Sequence, residues 1–147
     1  MALPFVDEHR RTVPAEPEAA WEALVRTLER QARARPQALG ARLLGCRETA
    51  RNALPLEAVG ATVPGFAVVE AARPSRLFLA GGHRFSDYAL EFELAPAGPG
   101  ATEVTARTRA RFPGVAGRAY RALVIGTRGH VVAVHSILAA VAREAAR

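Results

Sequence analysis

The sequence predicts an α+β fold in which helices cover one face of an antiparallel sheet. Strand patterns follow one another from Gly65 to Phe112 without an intervening helix, which is typical of an antiparallel rather than a parallel sheet. One amphipathic helix precedes this run, and a long helical pattern, from about Pro113 to Arg147, follows it. We expect this C-terminal helix to lie on the sheet, because no other segment is long enough to cover it.

The composition indicates one globular domain over residues 1–147. Half of the residues are hydrophobic and 23% are charged, which is a globular rather than a disordered composition. No internal repeat or low-complexity linker divides the chain. Neither a signal-peptide pattern nor an apolar run of about eighteen residues is visible. We therefore expect a cytoplasmic protein without an integral membrane segment, and an oligomer is compatible with the sequence.

The N-terminal part predicts a strand and then a helix. His9–Val13 has the character of a short strand, and Pro17 suits the first position of a helix. The helix is expected to run to about Arg35, where Pro36 and Gly40 end it. Its buried face carries apolar side chains at the i, i+3, i+4, i+7 spacing: Trp21, Leu24, Val25 and Leu28.

Residues Gly40 to Pro64 have the weakest pattern of the chain. Ala41–Thr49 fits a strand or a short helix equally well, and Leu54–Val63 is at most a broken strand, because it contains Pro55 and Gly60. A long irregular stretch of this kind often has a function of its own. We expect it to form a lid over a pocket mouth.

Four strands are predicted after Gly65. A Pro-containing turn joins the first pair, and a loop rich in Pro and Gly joins the last pair. Gly81 and Gly82 follow the second strand, and paired glycines there indicate a bulge or a close approach of another backbone segment. The four predicted strands are Phe66–Ala72, Arg76–Ala80, Phe85–Leu94 and Thr102–Phe112.

The last two strands alternate cleanly enough to predict their register. If Leu94 lies opposite Val104, then Glu91 faces Arg107 and Asp87 faces Arg111 on the outer side of the sheet. We therefore interpret Arg107, Arg109 and Arg111 as part of a solvated outer face. The alternative is an anion-binding patch, and the acidic cross-strand partners favour the structural interpretation over it.

The predicted inward face of the C-terminal helix contains three polar side chains among aliphatic ones. Tyr120, Thr127 and His130 share this face with Leu123 and Val134, and buried polar groups need partners. Gly126 and Gly129 flank this region, although each glycine disfavours a helix. Two explanations remain open: close packing or a kink with His130 hydrogen-bonded internally, or a ligand cavity beneath this turn.

The charge pattern argues against nucleic-acid binding. The net charge is +6 and every one of the twenty basic residues is arginine, but the arginines are dispersed. The densest group, Arg26, Arg30, Arg33 and Arg35, closes the first helix, where cations are favoured by the helix dipole. Aromatic side chains do not interleave with them as a base-stacking surface requires. We therefore expect no nucleic-acid partner.

Motifs for metal or cofactor chemistry are absent from the sequence. His130 and His135 are five residues apart, which is not the i, i+4 spacing of a helical metal pair. Cys46 is the only cysteine, and we interpret it as a small buried hydrophobe. No glycine-rich phosphate loop and no nucleophile elbow occurs. We expect neither a metal nor a cofactor, and no residue qualifies as a confident catalytic one.

One stretch resembles a known superfamily. A strand followed by V-P-A-x-P-E-x-x-W-x-x-L, here Val13 to Leu24, then an antiparallel sheet and a long C-terminal helix, is similar to the START-like or SRPBCC superfamily. Residues Pro113 to Tyr120 resemble a bacterial branch of it. The resemblance implies a helix-grip fold, in which a curved antiparallel sheet wraps around the helix and encloses a mostly apolar cavity. Members bind lipids, sterols, polyketides or hormones, and some are cyclases or dehydratases.

The residues and the resemblance together lead to three functional hypotheses. The first is binding of a small hydrophobic or amphipathic ligand between sheet and helix. The second is an enzyme of the polyketide cyclase/dehydratase kind, with His130 or Tyr88 moving protons. The third is a protein-interaction module with a filled core. The residues expected to contact a ligand are Phe78, His83, Tyr88, Leu90, Phe92, Tyr120, Leu123, Thr127, His130 and Val134.

Overall fold

A computed structural model describes residues 3–147, and its strands form one curved six-stranded antiparallel sheet in the order β1-β6-β5-β4-β3-β2. Helices pack on one face of the sheet, so the predicted α+β helix-grip fold is confirmed. The elements are β1 Phe5–Val13, α1 Pro17–Ala32, α2 Arg35–Leu44, β2 Thr62–Val63, β3 Phe66–Ala72, β4 Arg76–His83, β5 Ser86–Pro96, β6 Thr102–Arg111, α3 Gly114–Val124 and α4 Gly129–Ala145.

The predicted register between β5 and β6 is confirmed. Leu94 pairs with Val104, Glu91 with Arg107, and Asp87 with Arg111. The Arg107 guanidinium lies 3.1 Å from Glu91 and 2.5 Å from Glu93, and it also bonds Glu8 on β1. The hydrogen bond from Arg107 lowers the pKa of Glu93. Arg107 therefore belongs to a cross-strand ion-pair network on the outer face.

The core lies between the inner face of the sheet and helices α1 and α4. Trp21 and Leu24 of α1 and Leu138 and Val141 of α4 are at most 1% exposed, and they pack against the inner strand residues. The Trp21 indole N–H donates to the Glu57 carboxylate, so the ring is buried without an orphaned donor. Burial of these large side chains supplies the main force that holds both helices on the sheet.

A cluster of ion pairs joins helices α1 and α4. The Glu144 carboxylate near the end of α4 accepts bonds from Arg26 at 3.0 Å and from Arg30 at 2.6 Å, both on α1. These bonds lower the pKa of Glu144, with Arg30 the larger cause. Two members of the dense arginine group, Arg26 and Arg30, thus have an internal structural partner.

The first helix ends earlier than predicted, and a second helix follows it. Pro36 lies in the first turn of α2 rather than ending α1, because proline is well accommodated where the helical N–H has no partner. Ala41–Thr49, which fitted a strand or a helix, is helical as far as Leu44. Gly45 ends α2 with a φ of +71°, a left-handed conformation that favours glycine.

The C-terminal helix covers the sheet as predicted, but it is broken. α3 and α4 meet at an angle of 55° across residues 125–128. A Cβ at Gly126 would lie 2.4 Å from the Ala122 carbonyl oxygen, and Arg128 takes a φ of +61°. The kink alternative for these glycines is therefore confirmed.

Within residues 3–147, no individual helix combines the length and apolarity needed to cross a bilayer. The bent pair of α3 and α4 meets that criterion only when both helices are counted together.

The paired glycines of β4 mark a close backbone approach, one of the two predicted explanations. A Cβ at Gly81 would lie 2.0 Å from the Gly65 carbonyl oxygen. The segment that precedes β3 therefore crosses directly over this end of β4. The same end is capped by the Arg47 N–H, which donates to the Gly82 carbonyl at 3.0 Å.

Candidate ligand-binding cavity

A cavity of about 590 Å³ lies between the inner face of the sheet and the helices. Its inner wall is formed by the first half of β5 and the last residues of β6, and its outer wall by α2, α3 and the first turns of α4. Gln37, Ala133 and Ser136 line it and are also exposed, so the mouth opens between α2 and α4. Among residues 3–147, no arginine, aspartate or glutamate lines this cavity.

Most of the ligand-contact residues that the sequence predicts do line the cavity. The residues that the fold brings together there are His83, Tyr88, Leu90, Phe92, Tyr120, His130 and Val134. Three others, Phe78, Leu123 and Thr127, do not line it.

Phe78 lies on the outer face of the sheet, not on the inner one as predicted. It pairs with Glu91, whereas its neighbours Leu77 and Leu79 are buried on the inner side. The Arg76 guanidinium lies 5.6 Å from the Phe78 ring centroid. The alternation of a strand places Phe78 opposite to Leu77 and Leu79, and the cation–π contact accounts for a half-buried aromatic side chain there.

Leu123 and Thr127 are exposed, and the break between α3 and α4 is the reason. Leu123 is 65% exposed, and the Thr127 hydroxyl donates to the Leu123 carbonyl oxygen inside the turn. The prediction treated residues 113–147 as one straight helix at 100° per residue. Because α3 departs from the axis of α4 by 55°, residues near the break no longer share the face of Val134.

An aromatic cluster forms one end of the cavity. The His83 ring lies 4.7 Å from the Tyr120 ring and 5.5 Å from the Tyr88 ring, measured between centroids, and Phe85 stacks on Tyr120 at 5.6 Å. The Phe85 backbone N–H donates to Nδ1 of His83 at 3.0 Å. Burial lowers the pKa of His83, and only the Asp87 carboxylate opposes this shift. The imidazole is therefore neutral at pH 7, with its proton on Nε2.

The two tyrosines of this cluster are poor proton donors. The Tyr88 hydroxyl donates to the Gly65 carbonyl oxygen and lies 3.8 Å from Cys46 Sγ. Burial raises the pKa of Tyr88 far above its usual range and also raises the pKa of Tyr120. Both hydroxyls therefore remain protonated at neutral pH, and Tyr88 serves to fix the close approach of the backbone at Gly65.

His130 lines the cavity and also has an internal partner. Its Nε2 lies 3.1 Å from Asp7 Oδ1, and the other oxygen of Asp7 lies 3.2 Å from Nε2 of His9. The His9 ring in turn packs on His135 at 4.5 Å. The internal hydrogen bond expected for His130 is thus present together with the open space beneath the turn.

Asp7 was missed because the predicted first strand began at His9. The strand begins at Phe5, and its alternation places Asp7 and His9 on the side that α4 covers. The described residues include no group of three or more His, Cys, Asp or Glu side chains arranged to hold a metal ion.

Thr108 is a second polar residue that sequence reasoning did not select. It lies on the inner face of β6 opposite Leu90, it is 7% exposed, and it lines the cavity. Its hydroxyl oxygen has no hydrogen-bond partner among residues 3–147. Buried hydroxyls are normally paired with protein or water, so this group is available to a bound molecule.

The segment of weak sequence pattern forms one wall of the cavity. α2 and the chain that follows it contribute a set of mainly apolar side chains that no motif could identify in advance. Those residues are Ala41, Leu44, Cys46, Val63, Pro64 and Phe66. Cys46 is half-buried among them.

Comparison with known proteins identifies the fold. No family model and no curated protein sequence matches the chain. Among solved structures, the protein Mll3558 from Rhizobium loti matches with a TM-score of 0.61 and 15% identity, covering 98% of this chain and 99% of that one. TTHA0849 from Thermus thermophilus matches with a TM-score of 0.56 and 18% identity, covering 97% of each chain. CV1439 from Chromobacterium violaceum has a TM-score of 0.54, 15% identity, and coverage of 95% and 96%.

These matches extend over nearly the full length of each chain, so this chain and those proteins share one architecture. At such low sequence identity the likeness concerns the fold alone.

Proposed function

We propose that this protein is a member of the START-like superfamily and that it binds a small apolar or amphipathic molecule in the cavity between sheet and helices. The observation that carries the proposal is the cavity itself, whose volume of about 590 Å³ falls in the range of small-molecule sites. Apolar side chains with a few convergent polar groups, here His83, Thr108 and His130, are the usual lining of such sites.

The superfamily assignment is supported by two features that lie far apart in the chain. The opening motif, Val13 to Leu24, spans the end of β1 and the buried face of α1. The helix-grip arrangement then leaves a cavity between sheet and helices, which is the arrangement that the resemblance implies. An interaction module with a filled core, the third hypothesis, is disfavoured by this open volume.

Binding can be tested with Nile red, an uncharged apolar dye, on the full chain. Replacing Ala133, an exposed residue that lines the mouth, by Trp should weaken dye binding at least tenfold by obstructing entry. The matched control is Val132→Trp, because Val132 is 68% exposed on the same helix and does not line the cavity. Fluorescence titration measures both variants.

The proposal fails if the parent protein does not bind the dye, or if Ala133→Trp and Val132→Trp bind it equally well. Native mass spectrometry of the protein purified from its own host provides an independent measurement. A retained small molecule would identify the chemical class of the ligand.

A second candidate function, an enzyme of the cyclase/dehydratase kind, is favoured by one specific contact. The Asp7 carboxylate orients the His130 ring, and a carboxylate–histidine pair at the wall of an apolar cavity is suited to general acid–base catalysis. Tyr88, the other predicted proton carrier, is poorly suited, because its pKa is raised and its hydroxyl donates to Gly65.

The two proposed functions predict different effects of His130→Ala on turnover and on Nile red affinity. If the protein is an enzyme that cyclises a linear poly-β-ketone thioester, His130→Ala should abolish turnover, which absorbance measures. The variant should still bind Nile red. A binding protein would show no turnover in the parent and a weaker affinity in the variant.

A further inference from the structure

We infer that the cavity selects an uncharged, planar ligand whose hydrogen-bond acceptor is bound by the Nε2–H of His83, an inference that rests on the binding function proposed above. It names the chemical class of the ligand rather than its identity. Three independent features of the cavity lead to this class.

The first feature is the absence of charge from the cavity wall. The chain carries 20 arginines and 14 acidic residues, yet within residues 3–147 none of them lines the cavity. An ion transferred from water into such a site would lose its hydration without gaining a counter-ion. A fatty carboxylate or a phosphate ester is therefore disfavoured relative to a neutral molecule of the same shape.

His130 does not supply the missing positive charge. Its Nε2 lies 3.1 Å from Asp7 Oδ1, so a protonated His130 already has its counter-ion. Asp7 is shared with His9, whose Nε2 lies 3.2 Å from Oδ2, and His9 contacts the ring of His135 on α4. His130 therefore offers no unpaired cation to an anionic ligand.

The second feature is the fixed tautomer of His83. The Phe85 N–H donates to Nδ1 at 3.0 Å, which requires a lone pair on that nitrogen. A neutral imidazole then carries its proton on Nε2. No side chain or backbone group among residues 3–147 accepts a hydrogen bond from this Nε2, and the ring lines the cavity. The cavity therefore presents a neutral donor, which suits a carbonyl or ether oxygen.

The third feature is the set of flat rings around that donor. Tyr120 packs edge-to-face on His83 at 4.7 Å, and Phe85 and Phe112 flank Tyr120 at 5.6 and 6.3 Å. Tyr88 lies on the other side of His83 at 5.5 Å. Aromatic side chains bind flat unsaturated rings well through offset or edge-to-face contacts. A ring that bears the acceptor would therefore fit beside His83.

A matched series of naphthalenes tests the inference by isothermal titration calorimetry at pH 7. 2-Acetylnaphthalene carries a carbonyl acceptor, 2-ethylnaphthalene has nearly the same shape without one, and 2-naphthoate is an anion. We expect the acetyl compound to bind about fivefold to tenfold more tightly than the ethyl compound, the effect of one hydrogen bond. The naphthoate should bind more weakly than both.

His83→Phe should remove the preference for the carbonyl. This variant keeps a ring in the aromatic cluster and deletes the donor, so the acetyl and ethyl compounds should bind with equal affinity. His83→Gln, which restores an N–H donor, should recover part of the preference. The urea denaturation midpoint of His83→Phe, compared with that of the parent, shows whether the fold remains intact.

Titration of the parent protein with the three naphthalenes tests the inference even if a His83 variant does not fold. Equal affinity for the acetyl and ethyl compounds, or tighter binding of the naphthoate, would overturn the inference and leave the binding function standing. Failure of all three compounds and of Nile red to bind would overturn the binding function itself.

Discussion

At the scale of single residues, Gly81 is the position where the backbone leaves no room for a side chain. A Cβ there would lie 2.0 Å from the Gly65 carbonyl oxygen and 3.0 Å from the Tyr88 hydroxyl. Gly65 is not free to withdraw, because its N–H donates to the Glu48 carbonyl at 2.8 Å. The close approach thus holds the chain before β3 over the aromatic end of the cavity.

Gly81→Ala should therefore lower the free energy of unfolding by about 1–3 kcal/mol, the range for overpacked sites. Gly40→Ala is the matched control, because Gly40 lies inside α2 and a Cβ there would have no atom within 4 Å. That substitution should raise the free energy of unfolding by up to about 1 kcal/mol through helix propensity. Urea denaturation measures both, and equal stability of Gly81→Ala and the parent would contradict the close contact.

At the scale of elements, the join between α1 and α4 depends on Glu144. Arg30 and Arg26 lower the pKa of its carboxyl below the ordinary value of 4.5. An acid with a lowered folded pKa stabilises the fold at pH values above its unfolded pKa, and the contribution is lost as the pH falls through the folded value. The ion pairs between α1 and α4 should therefore weaken only in acid.

Glu144→Gln should lower the urea midpoint at pH 7, and the difference from the parent should shrink as the pH falls below about 4.5. Glu103→Gln provides a control, since the Glu103 carboxylate is exposed and makes a single 3.5 Å contact with Arg10. Exposed pairs of that kind contribute little. A Glu144→Gln difference that stayed constant from pH 7 into acid would show that charge is not what joins the helices.

The elements also show what the sequence could and could not predict. Strands β3, β5 and β6 were predicted to within a few residues, because a two-residue alternation fixes both the element and its face. Phe78, predicted to contact a ligand, lies on the outer face, because the same alternation places it opposite to the buried Leu77 and Leu79. The alternation of apolar and polar residues was sufficient to predict a strand and its buried face wherever one face of that strand was uniformly buried.

The helical break and the walls of the cavity depend on contacts that no local pattern encodes. Gly126 and Gly129 indicated a kink, but neither its angle nor the resulting exposure of Leu123 follows from the spacing of residues. The Asp7–His130 bond joins residues 123 positions apart. Such a pairing becomes visible only when β1 and α4 have been placed side by side.

At the scale of the whole molecule, the inner face of β6 is close-packed at one end and lines the cavity at the other. Ala106 and Ala110 lie four residues apart on the inner face of β6, opposite Phe92 and Tyr88 respectively. Ala106 is fully buried in the core, whereas Ala110 lines the cavity. One end of the inner face is therefore close-packed against α1 and α4, and the other faces the cavity.

This difference predicts opposite results for the same substitution. Ala106→Leu adds three carbons to a filled core and should lower the free energy of unfolding by about 1–3 kcal/mol. Ala110→Leu places the same carbons in open space, so its stability should equal or exceed that of the parent, while Nile red affinity falls at least tenfold because the cavity has less room. Urea denaturation and dye titration separate the two effects. If Ala110→Leu were as destabilising as Ala106→Leu, the space beside Tyr88 would have to be filled, and the cavity could not hold a ligand there.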